Sequence, residues 1–142
     1  MPQKILIMGL PGSGKTTLAL HLVALLNNIG ETVLHLNADL IRSQFDDWDF
    51  SKEGRIRQSN RMRELADNST CKYVIADFVA PIQEMRQNFE ANFTIWVDTI
   101  KESRYADTNA IFEKPNIYNF RVIEQDADKW ANKIFDLIYK GI

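Results

Sequence analysis

The chain has 142 residues, 45% of them hydrophobic and 25% charged, with a formal net charge of −2. This is the composition of a soluble globular protein, and its length suits a single domain over residues 1–142. It excludes a basic excess, so no obligate nucleic-acid partner is expected. It also lacks any apolar run near the ~18 residues of a membrane span, so no membrane association is expected.

In chain order, Lys4-Ile5-Leu6-Ile7-Met8 is a short continuous apolar run and predicts a buried parallel strand. Gly9-Leu10-Pro11-Gly12-Ser13-Gly14-Lys15-Thr16 follows at once and fits the phosphate-loop pattern G-x-x-x-x-G-K-S/T. A helix is expected over 15–29, with Gly30 as its C-cap. Residues 32–36 predict a second strand containing His35, taken as a core or edge histidine without a chemical partner. Asp39 is expected to cap a short helix through Ser43. Phe45-Asp46-Asp47-Trp48-Asp49-Phe50 is expected to form a loop over a pocket.

Ser51 should cap a helix over 51–68 that carries Arg55, Arg57, Gln58, Arg61 and Arg63. The single cysteine, Cys71, excludes an internal disulfide and is expected at a core or edge position. Residues 73–76 predict a third strand, ending in Asp77-Phe78-Val79-Ala80-Pro81. A helix should start at Pro81 and run to about Ala91. Residues 93–97 predict a fourth strand, 98–118 an irregular segment broken by Pro115, 120–123 a fifth strand, and 127–139 a closing amphipathic helix.

This alternation predicts an α/β fold: a three-layer α/β/α sandwich of the P-loop NTPase, nucleotide-kinase-like type, with a mainly parallel five-stranded sheet. Ligands of such sheets bind beyond the carboxyl ends of the strands. That rule brings Gly9 to Thr16, Asp39, Asp77 to Pro81 and Asp98 to one crevice. The loop glycines turn backbone N–H groups toward a polyphosphate, and the helix N-terminus adds positive potential. Lys15 is then expected on the β/γ-phosphates and Thr16 on Mg²⁺, with ATP as donor. Asp39 is the expected acid, accepting the acceptor's proton or holding the metal's water shell. Asp77 stands where a metal-directed aspartate ends an apolar strand. Arg42, Arg55 and Arg104 are candidate anion clamps, and Phe50 and Phe78 are candidate stacking or wall residues. No targeting segment is expected before the loop, so the cytoplasm is the expected location.

Taken together, these residues resemble the adenylylsulfate kinase (APS kinase) family. The family's G-L-x-G-x-G-K-S/T-T is similar to Gly9-Leu10-Pro11-Gly12-Ser13-Gly14-Lys15-Thr16-Thr17. Its L-D-G-D-x-x-R resembles Leu36-Asn37-Ala38-Asp39-Leu40-Ile41-Arg42, with the second acid and the arginine kept. Its G-F-S-x-x-D-R-x-x-N-I-R-R resembles the run from Asp49 to Arg61, matching at Phe50, Ser51, Arg55 and Arg61. The family's S-F-I-S-P falls on 77–81, V-D-T on Val97-Asp98-Thr99, and Y-E-x-P on Phe112-Glu113-Lys114-Pro115.

The resemblance implies transfer of ATP's γ-phosphate to the 3′-hydroxyl of adenosine 5′-phosphosulfate (APS), giving PAPS and ADP. It makes Asp39 the catalytic acid and puts Arg42, Arg55 and Gln58 where substrate is gripped. Phe50 falls where adenine is stacked, with Phe78 and Val79 beside it. A homodimer is compatible with it. One departure stands out: the family's longer lid, with a second stacking aromatic, is reduced here to residues 100–111. Arg104 and Tyr105 would then serve the nucleotide from a short lid, or the acceptor is another nucleoside, sugar or polynucleotide hydroxyl. An ATP-binding regulatory protein without transfer activity is the remaining alternative.

Overall fold

The computed structural model describes residues 1–140. Five strands, β1 (Gln3–Met8), β2 (Val33–Asn37), β3 (Tyr73–Asp77), β4 (Phe93–Val97) and β5 (Phe120–Val122), form one sheet. Its order is β2-β3-β1-β4-β5, and all four pairings are parallel. The helices are α1 (Lys15–Asn28), α2 (Ala38–Phe45), α3 (Lys52–Asp67), α4 (Gln83–Phe89), α5 (Ala106–Ile111) and α6 (Ala127–Lys140).

Because side chains alternate along a strand, β1 feeds two cores. Ile5 and Ile7 pack with Leu18, Leu22 and Leu26 of α1 and Trp130 and Ile134 of α6. Leu6 and Met8 pack on the other face with Met62 of α3 and Met85 and Phe89 of α4. Both faces of β1 are therefore covered, which is why its sequence is a continuous apolar run. Each fully buried side chain of this size contributes about 1.5–3 kcal/mol.

Three local features differ from the expectation. Asn37, not Asp39, caps α2, its side chain accepting from Leu40 N at 3.0 Å. Both are Asx residues, and β2 ends at Asn37, so the turn begins there. The helix expected to start at Pro81 starts at Gln83. The carbonyls before it are bound elsewhere: Arg86 Nε donates to Ala80 O at 2.8 Å, and Glu113 N donates to Pro81 O at 2.7 Å. Finally, α5 lies inside the segment expected to be irregular. Ser103 and Asn109 brace it reciprocally, through Ser103 N to Asn109 Oδ1 (2.8 Å) and Asn109 Nδ2 to Ser103 O (2.7 Å).

Candidate active site

The phosphate-type loop bridges β1 and α1 at the carboxyl end of the sheet. Gly12 and Gly14 take left-handed φ angles of 82° and 101°, which let the chain turn sharply into α1. The first-turn N–H groups of α1 lie outside its own ladder. Lys15 folds back over the loop, its Nζ donating to Leu10 O at 2.9 Å. Burial pushes its pKa down to about 8, against the opposing pull of Asp77 and Asp39. Two residues brace the loop from outside: Thr99, the last of the V-D-T match, and Gln125, which the sequence did not single out. Thr99 Oγ1 donates to Ser13 O at 2.7 Å, and Gln125 Nε2 donates to Gly12 O at 3.2 Å.

Asp77, 3% exposed, is the hub of the site. Thr16 Oγ1 donates to its Oδ1 at 3.0 Å, and Asn37 Nδ2 donates to the same oxygen at 3.1 Å. His35 Nε2 meets the other carboxylate oxygen, Oδ2. The register explains the grouping. Asn37 is the Cα partner of Asp77, and His35 lies two residues back on the same face of β2. The expectation that His35 lacks a chemical partner is thus corrected.

Among the described residues, no group of three or more His, Cys, Asp or Glu side chains is arranged to hold a metal by itself. This donor set fits Mg²⁺ all the same. That ion takes one or two protein oxygens and keeps its remaining places for water and substrate phosphates. The Thr16 hydroxyl and Asp77 carboxylate are hard oxygen donors beside the loop, and they would hold it.

Asp39, in the first turn of α2, is exposed, and its charge acts on both Lys15 and Arg42. Arg42 is 4% exposed and its Nη1 donates to Asp47 O (2.9 Å) and Asp49 O (3.2 Å). Burial pushes its pKa below the ordinary value, with Asp47 opposing, though a guanidinium stays charged in proteins. The Phe50 ring lies 4.3 Å from the Arg42 guanidinium and 5.4 Å from that of Arg55, yet it is 48% exposed. Arg55 Nε donates to Phe50 O at 2.8 Å, and its Nη2 lies 3.7 Å from Asp107. A cleft of about 390 Å³ opens beside them, lined by Phe50, Lys52, Arg55, Glu84, Asp107 and Glu113 among others.

The remaining candidates sit differently. Gln58 is buried and spends both ends on the protein, donating from Nε2 to Ala38 O (3.0 Å) and accepting from Arg61 at Oε1 (2.9 Å). It anchors the backbone next to Asp39. Phe78 is 3% exposed with its ring edge-on to Phe89, so the structure makes its ring core rather than a stacking surface. Val79 is half-buried in the segment after β3. Arg104 is exposed and donates to Tyr105 Oη at 3.0 Å; among the described residues none of its contacts reaches the loop. Arg86, not singled out by the sequence, ties Ala80 O, Pro81 O and Glu113 O together beside the cleft. Burial pushes its pKa down to about 10, with Glu113 opposing.

The family model described as adenylylsulphate kinase matches residues 1–124. A probable adenylyl-sulfate kinase of Aeropyrum pernix is 39% identical over 85 residues, covering 56% of this chain and 45% of that protein. The bifunctional enzyme NodQ of Rhizobium tropici is 31% identical over 132 residues, covering 84% of this chain and 21% of that protein. The chain thus spans about half, or less, of the length of these relatives. The structure of the Mycobacterium tuberculosis APS kinase CysC in complex with AMPPNP and APS superposes with a TM-score of 0.83 at 19% identity, covering 97% and 98% of the two chains. Shikimate kinase of Acinetobacter baumannii gives 0.67 at 20% identity, covering 99% and 95%. At such identities these structures establish the fold, an α/β sandwich shared among P-loop kinases.

Proposed function

This chain belongs to the adenylylsulphate kinase family, and on that premise we propose that it transfers the γ-phosphate of ATP to the 3′-hydroxyl of adenosine 5′-phosphosulfate, yielding PAPS and ADP. The observation that carries the reading is the half-exposed Phe50 ring, backed by two guanidiniums and set at the mouth of a cleft that Arg55 also lines. It is a flat π-surface suited to an adenine, with Arg42 and Arg55 behind it for an anionic group.

The residues divide the work. Gly9 to Thr17 cradle the triphosphate, and Lys15 swings from Leu10 O to the β/γ-phosphates, where phosphate charge favours its protonated form. Thr16 and Asp77 would hold Mg²⁺, which would neutralise charge on the phosphate oxygens. Asp39 accepts the proton of the acceptor hydroxyl, and its exposure leaves it free to reach it. Gln58 fixes the backbone at Ala38, and so the place of Asp39.

One observation favours a second reading, transfer to a less anionic hydroxyl compound. The cleft has three carboxylates, Glu84, Asp107 and Glu113, against Lys52 and Arg55, and Arg55 already faces Asp107. Incubation with γ-labelled ATP, Mg²⁺ and APS tests the first reading. Label recovered in a product with the chromatographic mobility of PAPS supports it. Label appearing only as inorganic phosphate contradicts it.

A further inference from the structure

A trans peptide is planar, and its C=O and the following N–H point in opposite directions, so holding the oxygen fixes the amide. Two consecutive peptides of the phosphate-type loop are held in this way from outside. Gln125 Nε2 donates to Gly12 O at 3.2 Å, and Thr99 Oγ1 donates to Ser13 O at 2.7 Å. The first contact directs Ser13 N–H to Leu10 O, at 3.2 Å. The second turns Gly14 N–H away from Thr99, and among the described residues that amide has no acceptor within the chain. Gly12 and Gly14 flank these peptides with φ of 82° and 101°, and glycine accepts either peptide orientation at little cost. The loop residues therefore do not choose the orientation by themselves. Side chains from just past β4 and β5 choose it.

On the ATP half of the proposed function, and independently of the acceptor, we propose that Thr99 and Gln125 are positioning residues for the triphosphate. They lock two loop peptides in the orientation that offers Gly14 N–H to a phosphate and keeps both carbonyl oxygens off it. A flipped Ser13–Gly14 peptide would set an oxygen where the amide stands, exchanging an attraction for the anion for a repulsion. Holding the amide in place beforehand removes an ordering cost from binding. The two donors lie 3.5 Å apart and act on adjacent peptides, so they form one clasp. Gln125 is exposed and Thr99 half-buried, so neither fills the core. The clasp also survives the movement of Lys15. When Lys15 Nζ leaves Leu10 O for the phosphates, Ser13 N–H stays on that oxygen and the turn keeps its shape.

Binding of the fluorescent analogue mant-ATP in excess Mg²⁺, and its displacement by inorganic tripolyphosphate, test the clasp without turnover. Tripolyphosphate carries no nucleoside, so it reads the phosphate cradle alone. Thr99→Val keeps the shape and loses the hydroxyl, and Gln125→Met keeps the length and loses the amide. Each should weaken both ligands by about 3- to 10-fold, the worth of one hydrogen bond. The double variant should lose more than either alone. Thr99→Ser keeps the donor and should stay within about 2-fold of wild type. Urea unfolding midpoints should hold in all of them. Unchanged affinity for both ligands in the single and double variants overturns the proposal. So does weaker mant-ATP with unchanged tripolyphosphate, which would make these side chains contacts of the nucleoside instead. Thr99→Ser as weak as Thr99→Val, or affinity lost only in step with the unfolding midpoint, overturns the positioning role. A wild-type chain that binds neither ligand overturns the ATP reading itself, and the clasp with it.

Discussion

Replacing Gly54 by alanine sets two effects of known sign against each other. Gly54 lies in the first turn of α3, and in an exposed helix glycine to alanine stabilises by about 0.5–1 kcal/mol. Here the added Cβ would lie 2.2 Å from Asp49 O and 2.5 Å from Asp49 Cγ. Ordinary carbon contacts begin near ~3.5 Å, so the 47–50 loop must retreat by roughly 1 Å. That loop is tied down by Ser51 N to Asp49 Oδ1 (2.9 Å), Arg57 Nη2 to Asp49 Oδ2 (3.1 Å) and Arg42 Nη1 to Asp49 O (3.2 Å). Overpacking of this kind costs about 1–3 kcal/mol, so the clash outweighs the propensity and a net loss of about 1–2 kcal/mol is expected. The shift also displaces Phe50, the next residue. Urea unfolding should therefore show lower stability, and acceptor KM should rise while mant-ATP affinity holds. Gly54→Ala more stable than wild type, with acceptor KM unchanged, would refute the reasoning. The family pattern has glycine at the place of Asp49 and aspartate at that of Gly54, so the pair Asp49→Gly/Gly54→Asp should be tolerated better than Gly54→Asp alone.

Asp39→Asn should lower transfer by 10²-fold or more, in the range of a lost general base, and leave nucleotide binding within about 2-fold. Lys15→Ala, by contrast, should weaken both, and steady-state kinetics with mant-ATP titration separates the two patterns. Phe50→Ala removes a stacking surface of the kind worth about 1–3 kcal/mol per base, so acceptor KM should rise about 5- to 100-fold with ATP affinity unchanged. Hydrogen bonds from Arg57 and Arg61 hold the Asp47 carboxyl well below the ordinary carboxylate range. Its folded pKa is lowered, so the stabilisation is present above the unfolded value of about 3.9 and is lost as pH falls below it. Urea midpoints from pH 7 down to about 3 should fall for wild type and fall less for Asp47→Asn, which starts lower at neutral pH.

What was legible in the sequence is what is local in the chain. The loop from Gly9 to Thr16 is contiguous, and β1 to β5 announce themselves as short apolar runs between turn residues, so the sheet and the loop's place between β1 and α1 followed from them. Asp77 was found because it ends such a run. His35 was not given a partner, because period-two alternation says which residues share a face but not which strand lies alongside. Only the β2–β3 pairing brings His35 and Asn37 to Asp77. Thr99 and Gln125 reach the loop from beyond β4 and β5; the V-D-T match marks Thr99 without showing what it touches, and Gln125 carries no sequence signal of its own. Helix α5, with six residues and no apolar period, depends on the Ser103–Asn109 brace for its start, since so short a helix is not stable alone. Phe78 illustrates the converse: it stands in a site-like segment, but its ring turns into the core against Phe89.

The measurement that bears most directly on the proposed activity is ADP release from Mg²⁺-ATP in the presence of APS, run beside a nucleoside, a sugar and a 5′-hydroxyl oligonucleotide. The account predicts a rate with APS well above the ATPase rate without acceptor and above that with each of the others. A rate with APS equal to the acceptor-free rate contradicts it.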